Sequence, residues 1–351
     1  MNSSTSNSEK KKRRPFRVFS AGFLGFFVLL ATLEVSVFRN VYFYGIEYRS
    51  MTGQFAELDY SFRQADPARI ETIILGDSQS KDALRPELLA SSSGRDPASI
   101  FNFSLSGGKA FEIYHTYRKY ADQMPNVKQA IVVVNEHQIN DYNIENDPKF
   151  RFYAGLSDRL KVMDAENYGE LLLGWVSKAF DMRSVWSKIL QSHLNDTLPK
   201  RPLSEVWKPG GLRAETQREK DGFAPEYAEK RADAWFENYD IDGLQAESLK
   251  NLLRELKKRG IRTVVVQIPR SELFEETIRR KYGDLQQAYF DKMRSLAAEY
   301  GAEFAVMPNE GLVLEEHFRD ANHVNPKGAE IVSRRVAERW LANPEGGQLS
   351  P

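Results

Sequence analysis

Ile70-Glu71-Thr72-Ile73-Ile74-Leu75-Gly76-Asp77-Ser78-Gln79-Ser80 decides how the rest of the chain is read. Ile70 to Leu75 is a short, β-branched apolar run bounded by Pro67 and Gly76, the pattern of a strand buried on both faces. It ends in a tight turn that presents a serine. In open parallel sheets the pocket forms beyond the carboxyl ends of the strands, so this turn predicts a serine hydroxyl at a site.

Similar runs recur along the chain at Ser99 to Phe103, Ala130 to Val134, Thr263 to Ile268 and Glu303 to Met307. Helical stretches lie between them. Ala246 to Arg259 carries a stripe of Leu249, Leu252, Leu253 and Leu256 and stops at Gly260. Leu285 to Tyr300 repeats the arrangement, with Gly301 as its stop. Strands and helices that alternate with short joints predict an α/β fold, a central parallel sheet covered by helices on both faces.

Residues 145–245 break this rhythm and predict a mainly helical insertion over the sheet. Its Trp175, Trp186, Trp207 and Trp235 either line a substrate groove or, as tryptophans at helical positions more often do, pack.

The 351-residue chain is 41% hydrophobic and 28% charged, a folded composition. Lys plus Arg and Asp plus Glu both total 49, which gives no electrostatic signature of nucleic-acid binding. The balance hides an asymmetry: residues 1–17 hold six basic residues against Glu9 alone. With no cysteine, disulfides, thiol catalysis and thiolate metal sites are all excluded.

From Val18 to Phe38 the only charge is Glu34. As a helix this run reaches about 31 Å, enough to cross a bilayer's hydrocarbon core. The reading is a basic cytoplasmic tail (1–17), one transmembrane helix (18–38), a juxtamembrane connector (39–68) and a catalytic domain (69–345). The basic cluster before the span predicts that everything after it is extracytoplasmic, periplasmic in a Gram-negative cell. A cleaved signal peptide is the other reading, disfavoured by the run's length and the lack of a small-x-small cleavage site after it. Tyr42, Phe43, Tyr44 and Tyr48 stand where an interfacial aromatic belt would be. Glu34 is expected either to reach the outer interface or to contact a polar group of a membrane partner.

A serine needs a base within hydrogen-bond reach, itself oriented by a third group. Asp320-Ala321-Asn322-His323 offers both, because a carboxylate three residues before a histidine can bond its Nδ1 while Nε2 faces the serine. His317, Asp320 and His323 also match a metal-ligand spacing, but the triad already accounts for Asp320 and His323. His115 and His193 read as ordinary packed or surface residues.

Gly76-Asp77-Ser78 near the start of the fold, Asn102-Phe103-Ser104-Leu105-Ser106-Gly107-Gly108 after the second strand, and Asp320-Ala321-Asn322-His323 near the end together resemble the SGNH (GDSL-like) hydrolase superfamily. The resemblance covers residues 70–108 and 317–341. It implies a three-layer α/β sandwich, Ser78, Asp320 and His323 as catalytic triad, and an oxyanion hole using the N–H of Gly107. The chain departs from the family in the third block. Where Gly-x-Asn-Asp is usual, Ala130 to Val134 is followed by Asn135-Glu136-His137-Gln138-Ile139-Asn140. Asn135, at the strand end, is the first candidate for the second oxyanion donor, with His137 and Asn140 behind it.

A single anchor and an outward catalytic domain are similar to proteins of this superfamily that acylate cell-surface polymers. The implied function is a serine O-acyltransferase that accepts an acyl group, acetyl above all, from a multi-spanning membrane O-acyltransferase and passes it to a polysaccharide acceptor, without cofactor or metal. An esterase or polysaccharide deacetylase with the same triad, and a non-catalytic scaffold subunit of an exopolysaccharide assembly, are the alternatives.

Overall fold

The computed structural model describes residues 14–47, 50–197 and 210–342. Most of the basic tail, Tyr48 and Trp207 lie outside the described residues. The five apolar runs form one sheet: β1 (Thr72–Leu75), β2 (Ile100–Asn102), β3 (Gln129–Val133), β4 (Arg262–Gln267) and β5 (Glu303–Val306). Every pairing is parallel and the spatial order is β2-β1-β3-β4-β5. The chain is α/β, as its alternating pattern predicts.

Side chains alternate across each strand, so each β-branched run feeds two cores. Ile73, Leu75, Val132 and Val265 pack with Phe55, Tyr117, Leu252 and Tyr289 from the helices Gly53–Gln64, Ala110–Tyr120, Leu244–Lys258 and Glu272–Tyr300. Ile74, Ile131, Val133 and Val266 pack on the other side with Leu84, Leu89, Val332 and Trp340. Helix Glu272–Tyr300 is longer than the run from Leu285 suggests, because a kink at Tyr282 joins an earlier helical piece to it.

The stretch expected as a connector is largely structural. Helix Gly53–Gln64 lays Phe55, Leu58 and Phe62 into the core. Tyr44 is fully buried and Tyr42 donates its hydroxyl to Asp59 at 2.8 Å, so these two rings are packed within the chain and do not form a belt.

Upstream, helix Arg14–Leu33 continues through a π-helical turn, Glu34–Phe38. Phe23, Leu24, Phe26, Phe27 and Val28 on it are each at least half exposed. Among the described residues no single helix is long and apolar enough to cross a membrane; Gly22–Phe38 and Val41–Glu47 meet that length and composition only together, bent by 66°. Glu34 is engaged by its own chain: its carboxylate accepts from the N–H groups of Lys178 at 2.5 Å and Ala179 at 3.1 Å, and Arg39 pairs with it at 3.1 Å. Neither expectation for Glu34 describes this, because the helix start that it caps lies 144 positions away.

Between β3 and β4 the chain forms short helices, from Pro148–Tyr153 to Arg183–Leu194, and then Pro225–Phe236. Within them Trp235 is buried, Trp186 donates its indole N–H to Ala179 O at 2.7 Å, and Trp175 is 46% exposed.

Candidate active site

β1 leads on to β2 on one side while its other neighbour, β3, leads on to β4 on the other, so the connections leave in opposite directions and open a crevice between the carboxyl ends of β1 and β3. Gly76-Asp77-Ser78 emerges there. A Cβ on Gly76 would lie 2.3 Å from Ser80 Oγ and 3.0 Å from Val133 Cβ, so only glycine lets the turn pass. Asp77 caps the following helix, Ser78–Ala83, by accepting the Gln79 N–H at 2.9 Å. This cap holds Ser78 at the first helical position, where its own N–H has no intrahelical partner.

Ser78 Oγ stands 2.8 Å from His323 Nε2. His323 Nδ1 is 2.9 and 3.0 Å from the two oxygens of Asp320. With Nδ1–H donating to the carboxylate, Nε2 is left as the acceptor for the serine hydroxyl. The geometry is built locally: Asp320 Oδ1 also accepts the N–H groups of Asn322 and His323, both at 2.9 Å, which winds the four residues into one turn. The Arg319 N–H bonds His323 O at 2.9 Å and closes the loop. Burial pushes the Asp320 carboxyl up, but the hydrogen bond and charge of His323, then Arg319, more than offset it and leave its pKa below the ordinary value. Arg319 is itself held by the buried Asp82 at 3.1 Å.

Gly107 lies in the turn after β2. The Leu105 N–H donates to Gly76 O, the Ser106 N–H to Gln54 Oε1 and the Gly108 N–H back to Leu105 O. That leaves the Gly107 N–H as the donor of this turn with no partner among the described residues. Gly107 has φ +61°, a left-handed conformation that favours glycine.

Leu75 pairs with Val132, so β1 and β3 end side by side, and Asn135, two residues past β3, leaves the same end of the sheet as the Gly76-Asp77-Ser78 turn. The Asn135 side chain is fully buried, and both its Oδ1 and Nδ2 lack a hydrogen-bond partner. An amide so placed keeps its N–H groups available to an incoming oxygen. Asn140 differs: its Nδ2 donates to Trp235 O and Glu237 O at 3.1 and 3.0 Å, and its Oδ1 accepts from Tyr142 and Asp240. It ties down the 235–240 segment and has no donor to spare.

His137 stacks on Trp235 with ring centroids 4.3 Å apart, and its Nε2 lies 3.2 Å from Asp77 Oδ2, close but not aligned as a hydrogen bond. Behind this turn Arg270 grips Glu136 through two bonds of 2.6 and 3.0 Å, both side chains fully buried. The next residue, Ser271, bonds Ala321 O at 2.5 Å, joining the third strand's turn to the triad loop. Buried polar atoms without partners gather at these strand ends: Asp77 Oδ2, both ends of the Gln79 amide, His137 Nδ1, Gln267 Oε1 and Asn322 Oδ1, besides Asn135. Sequence reasoning passed over Gln79, Gln267 and Asn322. Their signal was available only as a polar residue next to the proposed nucleophile (Gln79), at the end of a buried apolar strand (Gln267) or beside the proposed base (Asn322).

His317 Nδ1 accepts the Val313 N–H at 2.9 Å, and among the described residues no three His, Asp or Glu side chains converge as metal ligands. His115 packs on Phe111, and burial lowers its pKa to about 4; His193 is exposed. A groove of about 440 Å³ lies between Met51, Pro148 and the helix Arg183–Leu194, lined also by Thr52, Ser184 and Lys188. Met51 Cε would be 3.3 Å from a Cβ on Gly107, so this side chain stands between the groove and the Gly107 turn. A cavity of about 670 Å³ near Arg69, Pro86 and Ile100 lies at the opposite end of the strands. No protein-family model matches this chain, and none of the curated proteins matches it.

Proposed function

We propose that this chain is a membrane-anchored serine O-acyltransferase of the SGNH type, a three-layer α/β enzyme that acts outside the cytoplasmic membrane. The observation that carries the reading is the continuous chain Ser78 Oγ, His323 Nε2, His323 Nδ1 and Asp320 at 2.8 to 3.0 Å, at the carboxyl end of β1. His323 takes the Ser78 proton as Oγ bonds the acyl carbon, and returns it to the leaving oxygen as the donor's ester bond breaks. A sugar hydroxyl then gives its proton to His323 and attacks the acyl-serine, regenerating Ser78 Oγ–H.

The N–H groups of Ser78 and Gly107 and the Asn135 amide are the donors for the tetrahedral oxyanion. Such a donor is worth about 3–4 kcal/mol in the transition state. The groove beside Gly107 is the entry for the polysaccharide acceptor, and no cofactor takes part. The exposed apolar side chains from Phe23 to Leu30 on the N-terminal helix support a span over Val18–Phe38. A multi-spanning O-acyltransferase in the same membrane is the acyl donor. The formed triad also speaks for an enzyme against a scaffold subunit.

The test is to incubate the protein with an activated ester and examine the Ser78 peptide by mass spectrometry. An acyl adduct at Ser78, passed to sugar hydroxyls as polysaccharide is added, is the expected result. Free acid as the sole product with every surface polymer, together with raised polymer acylation in a deletion strain, would replace transfer by deacetylation. No adduct at Ser78 would remove the enzyme reading.

A further inference from the structure

The helix Tyr168–Val176 is built inside out. Its outward face is apolar: Tyr168 is 58% exposed, Leu173 57%, Trp175 46% and Val176 65%, with Leu172 beside them. Its inward face meets charge. Beneath Leu171 and Gly174 lies Arg159, wholly buried, paired with Asp181 at 2.5 and 3.1 Å and donating also to the carbonyls of Arg151, Ala154 and Leu171. A Cβ at Gly174 would fall 2.3 Å from Asp181 Oδ1, so the helix rests directly on the ion pair. In water this arrangement is the wrong way round, since hydrocarbon is exposed while ions lose their hydration.

The position of the helix identifies what covers it. Val176 O accepts a hydrogen bond from Arg39 at 3.3 Å, and the next three residues, Ser177, Lys178 and Ala179, all bond the Glu34 carboxylate. The exposed apolar face therefore begins where the N-terminal apolar helix ends. Leu190 and Leu194, one turn apart on the helix Arg183–Leu194, are 50% and 74% exposed as well.

We infer that helix Tyr168–Val176 lies in the bilayer interface, its Leu172, Leu173, Trp175 and Val176 face among the lipids, and fixes the catalytic domain against the membrane. This rests on the reading of Val18–Phe38 as a membrane span. A tryptophan and a tyrosine on an otherwise aliphatic face suit the headgroup boundary, where one side of each ring is apolar and its polar edge is wet. Docked this way, the domain cannot swing freely on its anchor.

The chain has no cysteine, so one introduced residue can be labelled cleanly. Full-length Leu173→Cys, Phe27→Cys and Gln287→Cys proteins, each carrying an environment-sensitive fluorophore, are reconstituted into vesicles of equal parts phosphatidylcholine and phosphatidylglycerol. Nitroxide-labelled lipids report depth. The label at 173 should be blue-shifted and quenched on the order of half by nitroxides near the acyl boundary, about 5–10 Å deep, while the label at 287 is not. Quenching at 27 with a water-exposed label at 173 overturns the inference and leaves the anchor standing. A label at 173 shielded from both water and lipid overturns it in favour of a protein partner. No quenching at 27 or 173 removes the anchor and the inference together.

Discussion

Ser78 and His323 stand 245 positions apart in the chain and 2.8 Å apart in space, with the histidine's other nitrogen on Asp320. A serine, a base and an orienting carboxylate arranged in this way act as a unit. Ser78→Ala and His323→Ala should each lower turnover of an activated ester by several orders of magnitude, and the double variant should be hardly slower than either. Unchanged circular dichroism would show that the losses are chemical. Near-normal turnover in His323→Ala would refute the triad.

Asp320→Asn should keep the turn but lose the carboxylate that holds Nδ1–H. With the amide favouring the wrong tautomer, kcat should drop by about 10⁴ while KM barely moves. Steady-state kinetics on one small ester separates this from lost binding. A rise in KM at constant kcat would make Asp320 a binding residue.

The buried, unpartnered Asn135 amide should serve the transition state and not the bound substrate. Asn135→Ala is expected to reduce kcat by about 10²–10³, the usual worth of an oxyanion donor, at constant KM. Asn140→Ala should instead lower the melting temperature, since its four hydrogen bonds hold the 235–240 segment. If the two variants exchange these effects, the donor has been misassigned.

Glu57 is buried, and that burial, opposed by the charge of Lys81, raises its pKa to about 7 from an ordinary 4.5. A carboxyl with a raised folded pKa holds its proton more tightly when folded. Its contribution to stability is fully present below pH 4.5 and is lost as pH rises through about 7. Glu57→Gln should therefore leave stability almost unchanged in acid and raise it by on the order of 3 kcal/mol well above neutrality. Chemical denaturation of both proteins across this range gives the difference directly. A gain that does not vary with pH would show that Glu57 does not titrate there.

Asp181 pairs with both Arg159 and Lys178 beneath the outward-facing apolar helix. Asp181→Asn leaves two cations buried and should cost about 3–5 kcal/mol. Limited proteolysis should then cut within 148–194 before the sheet opens. Equal resistance of the variant would mean that the pair contributes little.

The amino-acid sequence by itself determined the elements whose causes are local. Ile73 to Leu75 and Ala130 to Val134 are short, rich in β-branched residues and free of polar ones, which marks them as strands covered on both faces. Asp320 and His323 are three residues apart, which one turn converts into a hydrogen bond without help from elsewhere. Tertiary structure decided everything that depends on which distant segments meet. The end of the Ala130 to Val134 run ranks Asn135 first in the sequence, yet only the fold shows Asn140 spent on four hydrogen bonds while the buried Asn135 amide has none. Gly53–Gln64 looks like a linker until the sheet offers Phe55 and Phe62 a face to cover. In Tyr168–Val176 the apolar residues were visible, but their direction was not. Periodicity reveals that a helix has an apolar side, and only the buried Arg159 and Asp181 beneath it turn that side outward, because ions taken from water must be paired at close range.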